Sequence, residues 1–332
     1  MNSQIVIENI ELNALRDNWL GDPTTRAVPI YLPPNYASGD GRYPVVFLLQ
    51  GFAGRGLQLL NDDLFQETIQ ERLDRLIASK TIRPMIVVMP DGSTRYGGAQ
   101  YIDSPINGDH QRALLEIVAH VDARYRTLPE TRYRGIAGKS SGGFGSTRMG
   151  MAYPDVFGLV GDHAGDKYFE MCYKSDLPDF LRFYARAGLD GIRNILANPK
   201  TTPKPGGFFS VYNIVGMASC YSPNPDAPLG VDLPFDVYTG ELDDEVWARW
   251  LAHDPVNLVA THAENLKKLH LLYFDCGRQD EYNLLYGARI FAQRLTQHNI
   301  PHHYEEFEGG HRGLNYRFDV SLAKFTEVMN AG

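Results

Sequence analysis

Gly138-Lys139-Ser140-Ser141-Gly142 follows a short apolar run, Tyr133 to Ala137, and precedes a small-residue segment, Gly143-Phe144-Gly145-Ser146-Thr147, that can open a helix. The pentapeptide matches G-x-S-x-G, and strand–turn–helix is the context a nucleophile elbow requires. Such a turn is sharp and strained. Glycines two residues either side of the serine relieve the crowding and leave its Oγ exposed at the strand end. The same residues also resemble the tail of a phosphate-binding loop, G-x-x-x-x-G-K-[ST]. That motif needs a glycine five residues before Gly138, where this chain has Tyr133, and Gly135 has the wrong spacing.

Working outward, apolar runs of the kind buried in a parallel sheet recur along the chain: Val45 to Leu49, Met85 to Met89, Leu159-Val160, Leu271 to Phe274 and His303 to Phe307. Two strands are expected before them, over Ile5 to Leu12 and Arg26 to Leu32, the latter stopped by Pro33-Pro34. Helical periodicity separates the runs. Leu64, Phe65, Ile69, Leu73, Leu76 and Ile77 predict one helix, and Leu114 to Tyr125 a second. Leu285 to Leu295 predict a third, and Leu322, Phe325 and Val328 a last. Alternating strands and helices predict an α/β protein with a mostly parallel sheet covered on both faces. The alternation breaks over 165–265, where seven prolines fall from Pro199 to Pro234 between helix-like pieces near Phe180 to Leu196 and Asp243 to Leu251. This stretch reads as a cap- or lid-like insertion over the carboxyl ends of the strands, within a single domain spanning 1–332. Ligand sites of open α/β sheets lie at those ends.

Composition narrows the classes. The chain has 332 residues, 43% of them hydrophobic and 22% charged, which is ordinary for a globular protein. A net charge of −8, with no basic run, argues against a nucleic-acid partner. No apolar stretch approaches the ~20 residues of a membrane span. The start, Met1-Asn2-Ser3-Gln4-Ile5, lacks the basic and apolar regions of a signal peptide. A cytoplasmic protein is expected, although the mature end of a secreted one would read the same. Three cysteines, Cys172, Cys220 and Cys276, form no C-x-x-C pair, so neither a disulfide framework nor a zinc site is expected.

A serine hydroxyl is a poor nucleophile at neutral pH and needs a base, which itself needs an orienting carboxylate. Asp280 follows the strand Leu271 to Phe274 by the turn Cys276-Gly277-Arg278-Gln279, and His311 follows the last strand through Glu308-Gly309-Gly310. The order Ser, acid, His is one that strand–turn–helix serine enzymes use. Ser140 is the expected nucleophile, His311 the base and Asp280 the orienting acid, with Asp275 and Glu281 as the neighbouring carboxylates. Two amides are expected to hold a developing oxyanion. One is that of Ser141. The other belongs to the loop Gly51-Phe52-Ala53-Gly54, with Phe52 favoured over Ala53. Other polar residues have structural readings. His163 reads as a pocket wall or a satisfied buried histidine, and Trp247 and Trp250 as core packing. Asp243-Asp244-Glu245 reads as a helix start favoured by the dipole, and Lys139 receives no role. Activity is expected to fall as His311 protonates, below about pH 7 for an ordinary imidazole.

Taken with these residues, several segments resemble the putative-esterase branch of the α/β-hydrolases. That branch includes esterase D (S-formylglutathione hydrolase), feruloyl and acetyl xylan esterases, enterochelin esterase and the mycolyltransferases. The likeness is carried by Leu20-Gly21-Asp22-Pro23 through Tyr31-Leu32-Pro33-Pro34-Asn35-Tyr36, Tyr43 to Leu49, Met89-Pro90-Asp91-Gly92 and Val121 to Thr127. It continues in the elbow, Tyr153-Pro154-Asp155-Val156-Phe157-Gly158 and Glu308-Gly309-Gly310-His311. The resemblance implies an α/β-hydrolase fold with the insertion after the sixth core strand. It also implies a nucleophile, acid and base at Ser140, Asp280 and His311. Members often carry His-Gly where this chain has Gln50-Gly51, His-Ser-Met where it has Lys139-Ser140-Ser141, and a Ser-Gly pair after the sixth strand, where it has Asp162-His163-Ala164-Gly165. All three differences lie near the nucleophile. The expected function is a serine carboxylic-ester hydrolase, working through an acyl-enzyme without metal or organic cofactor, on a small-molecule or carbohydrate ester. Acyl transfer by the same residues, or a silent binding module on the same fold, are the alternatives. The oligomeric state is not legible.

Overall fold

A computed structural model describes residues 3–331, so Met1 and Asn2 of the N-terminal reading lie outside the described residues. Eight strands form the main sheet: β1 Gln4–Glu11, β2 Thr25–Leu32, β3 Val45–Leu49, β4 Ile86–Val88, β5 Arg134–Lys139, β6 Leu159–His163, β7 Leu271–Gly277 and β8 His303–Phe307. Their spatial order is β1-β2-β4-β3-β5-β6-β7-β8. Strand β2 runs antiparallel to both β1 and β4, and every other pairing is parallel. The strand that ends in Ser140 is therefore central, and neighbours on both sides fix its carboxyl end.

Among the described residues eight helices have eight or more residues: α1 Ile69–Ala78, α2 His110–Arg124, α3 Ser141–Ala152, α4 Leu177–Ala197 (kinked at Gly188), α5 Phe208–Tyr221, α6 Asp244–Leu251, α7 Leu284–Gln297 and α8 Phe318–Asn330. The sheet separates two apolar clusters, and alternation along β3 shows why. Val45, Phe47 and Leu49 point into one cluster with α2, α3 and α7, while Val46 and Leu48 point into the other with α1 and α8. Each such fully buried side chain contributes about 1.5–3 kcal/mol relative to exposure.

Two helices differ from the sequence expectation. Helix α1 begins at Ile69, and Leu64 and Phe65 lie outside it, 89% and 88% exposed. Thr68 caps the helix: its side chain accepts from the Glu71 amide while Glu71 reaches back to the Thr68 amide. This reciprocal cap fixes the start more strongly than an apolar spacing that would carry the helix one turn earlier. Helix α5 lies in the proline-rich segment, where no helix is expected from the pattern. It is buried from Ser210 to Tyr221. A helix wrapped by protein on all sides has no amphipathic stripe for periodicity to detect. The segment's other pieces match the expectation. Asp243 accepts from the amides of Glu245 and Val246 to cap α6, and Trp247 and Trp250 pack in the core with tilted rings, centroids 5.5 Å apart.

Candidate active site

The elbow is built by close approach. A Cβ on Gly138 would stand 2.3 Å from the Gly142 carbonyl oxygen, and one on Gly142 would stand 2.3 Å from that of Leu49. No side chain fits either position, so both flanking glycines of the motif are required by packing of backbone on backbone. Ser140 itself takes φ 55° and ψ −128°, a conformation that costs a non-glycine residue roughly 1–3 kcal/mol. It is held there by its amide donating to the His163 carbonyl (2.9 Å) and its carbonyl accepting from the Phe144 amide (2.9 Å).

The acid and the histidine arrive on two crossing loops. Beyond β7 and β8, the Arg278 amide donates to the Phe307 carbonyl (2.9 Å) and the Gln279 amide to that of Gly309 (2.9 Å). Gly277 permits the crossing, because a Cβ there would lie 2.4 Å from the Gly309 oxygen. Asp280 Oδ2 consequently sits 2.8 Å from His311 Nδ1, with the Asp280 side chain wholly buried. The other carboxylate oxygen accepts from the amides of Tyr282 (3.0 Å) and Leu284 (3.2 Å), which fixes the carboxyl group. A carboxylate can only accept, so Nδ1 carries the imidazole proton and Nε2 is left as a base. The Tyr282 ring packs edge-on against the imidazole with centroids 4.8 Å apart.

The alternative carboxylates have other tasks. Glu281 Oε2 accepts from the His311 amide (2.5 Å); this bond, first among the causes, holds its carboxyl below the usual range. Glu281 thus steadies the loop, and Asp280 addresses the ring. Asp275 lies inside β7 and bonds His163 Nδ1 (3.0 Å), Tyr273 Oη (2.7 Å) and Arg317 Nε (2.8 Å). Burial pushes its carboxyl up, but the His163 and Arg317 charges and these bonds leave it lowered. His163 Nε2 in turn meets Ser321 Oγ at 2.9 Å. Ser321, His163 and Asp275 therefore reproduce the connectivity of a catalytic triad, yet all three are buried. A substrate cannot reach them. His163 is the satisfied buried histidine of the two readings offered by the sequence.

Ser140, Ser141, His311 and Phe52 line one cavity of about 210 Å³ at the carboxyl edge of the sheet. Ser140 and His311 share it without a direct hydrogen bond among the described residues; such bonds are often loose before substrate arrives. The loop after β3 passes against the serine, and a Cβ on Gly51 would stand 3.1 Å from that of Ser140. The Ser141 amide is at the first turn of α3, where a helix has no acceptor of its own. Lys139 also lines the cavity, its ammonium donating to Asn315 Oδ1 (2.6 Å), and burial pushes its pKa down to about 8. The sequence reading missed the residues that the insertion contributes to the cavity: Asp166 and Tyr173 from the start of the segment, and Phe209 and Asn213 from α5. Only Asp166 left a signal, as an acid three residues beyond a strand's carboxyl end.

The Putative esterase family model matches residues 23–324. The chain belongs to this family. An esterase of Mycobacterium tuberculosis is 26% identical over 310 residues, covering 88% of this chain and 54% of the relative. An endo-1,4-beta-xylanase/feruloyl esterase of Xylanibacter ruminicola is 27% identical over 148 residues, covering 42% of this chain and 19% of the relative. The chain thus spans about half the length, or less, of these relatives. Among solved structures, a ferulic acid esterase superposes with a TM-score of 0.63 at 18% identity, covering 98% of both chains. The S-formylglutathione hydrolase of Staphylococcus aureus superposes with a TM-score of 0.59 at 16% identity, covering 99% of this chain and 100% of that one. At such identities the superpositions speak for the fold, which is that of the α/β-hydrolases. Among the described residues no helix is long and apolar enough to cross a membrane.

Proposed function

We propose that this esterase-family chain hydrolyses small carboxylic esters through a covalent acyl-enzyme, with Ser140 as nucleophile, His311 as general base and Asp280 as orienting acid. The observation that carries the reading is the 2.8 Å contact between Asp280 and His311 Nδ1, behind the cavity that Ser140 and His311 line. Ser140 Oγ attacks the ester carbonyl as His311 Nε2 takes its proton. The tetrahedral intermediate collapses when His311 returns the proton to the leaving alcohol. Water then repeats the sequence, with the acyl-enzyme as electrophile and Ser140 as leaving group. Asp280 stabilises the imidazolium formed in each half-reaction. The amides of Phe52 and Ser141 stabilise the oxyanion, a contribution of about 10²–10³-fold in rate for each donor. The aromatic rings of Phe52, Phe209 and Tyr282 offer the organic part of the ester an apolar wall. On this reading residues 165–265 act as a cap that completes the substrate cavity within one domain.

The test is hydrolysis of p-nitrophenyl acetate. Ser140→Ala and His311→Ala should each lower kcat by about 10⁴-fold or more, and the double variant should fall no further, because the residues act as a unit. Additive losses, or a Ser140→Ala variant with wild-type turnover, would remove the proposed triad.

A further inference from the structure

Two acceptor oxygens on the cavity wall are braced from behind and left without a partner. Asp166 is 7% exposed and lines the cavity. Its Oδ2 accepts from Gln100 Nε2 (2.7 Å) and Tyr173 Oη (2.9 Å). Its Oδ1 has no hydrogen-bond partner among the described residues and keeps some accessible surface. Asn213, on α5, is also 7% exposed and lines the same cavity. Its Nδ2 donates to the Asp176 carboxylate, which accepts from Ser210 Oγ as well (2.9 Å). A carboxylate takes only donors, so the amide nitrogen must face Asp176 and Asn213 Oδ1 must face away. That oxygen too has no partner among the described residues and keeps some accessible surface.

Side chains this buried ordinarily have their hydrogen bonds satisfied. Here one oxygen of each is anchored, or its amide oriented, while the other oxygen stays open on the wall beside Ser140. Of the donors that line the cavity, Lys139 Nζ gives one hydrogen bond to Asn315, and the Ser141 and Phe52 amides face the reacting carbonyl in the reading above. What would complement two open acceptors among aromatic walls is a pair of hydroxyl donors on a carbon skeleton. Burial, the largest cause, raises the Asp166 pKa, and the hydrogen bonds from Gln100 and Tyr173 and the Lys167 charge oppose it in part.

We propose that Asp166 and Asn213 are specificity-determining residues whose Oδ1 atoms accept hydrogen bonds from hydroxyl groups of the ester, selecting hydroxyl-bearing substrates over their ether counterparts. The inference rests on the ester-hydrolase reading above. An ether in place of the hydroxyl leaves a buried acceptor unmatched, and sites built to bind a hydroxyl reject analogues that lack it.

The experiment measures kcat/KM for two matched pairs. One pair carries hydroxyls on the alcohol half, 2,3-dihydroxypropyl butyrate against 2,3-dimethoxypropyl butyrate. The other carries one on the acyl half, methyl 3-(4-hydroxyphenyl)propanoate against its 4-methoxy ether. The wild-type protein should prefer the hydroxyl member of at least one pair by about tenfold or more. Asp166→Asn and Asn213→Ala should each bring that ratio toward one. A merely structural role would lower both members equally and leave the ratio intact, which would overturn the proposal. So would a wild-type protein indifferent to both pairs; that result needs no variant to fold. Turnover of p-nitrophenyl butyrate runs alongside: if it too is absent, the esterase reading has failed, whereas activity without selectivity sinks only the role of Asp166 and Asn213.

Discussion

His311 and His163 each bond an aspartate through Nδ1, at 2.8 and 3.0 Å, and differ in what surrounds them. The first pair opens on a cavity; the second is sealed in the core behind Ser321. Residue identity and spacing therefore do not make a triad without access. Asp280→Asn should leave the wrong imidazole tautomer and lower kcat for p-nitrophenyl acetate by about 10⁴-fold, with KM little changed. Ser321→Ala should leave turnover within about threefold. It should cost about 1–3 kcal/mol in urea unfolding, because His163 Nε2 loses its hydrogen bond with Ser321 Oγ. At this scale the places of the three candidate residues were legible from strand ends. Ser140, Asp280 and His311 each stand just beyond one. Asn213 was not legible, because it lies on a helix with no apolar stripe and reaches the cavity only through tertiary packing.

The elbow is an element-scale object, because β5 and α3 meet through glycines that touch backbone. Gly142→Ala places its Cβ 2.3 Å from the Leu49 oxygen and should cost about 3 kcal/mol or more, with loss of activity as the turn shifts. Gly188→Ala provides the contrast. Gly188 has φ 60° and ψ −167° at a kink in α4 with nothing within 4 Å, so the cost there is backbone strain alone, about 1–3 kcal/mol. Urea midpoints of the two variants separate crowding from strain, and equal losses would contradict the close approach at the elbow. The strands were readable in the sequence because buried parallel strands are continuous apolar runs, as Val45–Leu49 is. The start of α1 was misread because Leu64 and Phe65 continue the apolar spacing into an exposed loop, and only the Thr68–Glu71 cap marks the true boundary.

Across the whole molecule, buried histidines tie stability to pH. Burial, reinforced by the Arg26 charge, pushes the His110 pKa down to about 3, and burial with Arg148 pushes that of His253 down to about 4. Between these values and an unfolded pKa of about 6.5, the unfolded chain binds protons that the folded one refuses. Stability is therefore full above that unfolded value and is lost as pH falls toward the folded ones. His110→Gln should lose about 2 kcal/mol less than wild type between pH 6.5 and 5, as read by urea unfolding at both pH values. An identical acid loss in the variant would mean that His110 takes up its proton in the folded state. A mostly parallel sheet with helices on both faces follows from strand–helix alternation and was legible; the sheet order, with β4 between β2 and β3, was not. The cavity's far wall was not, since it is made by packing α5 and the start of the 165–265 segment across the strand ends.

The most direct test of the account is reaction with a fluorophosphonate probe, located by peptide mass mapping, with Ser140→Ala as the control. The account predicts one equivalent of label on the peptide containing Ser140, absent from the variant. Unlabelled, folded protein, or label on another serine, would contradict a nucleophile at Ser140.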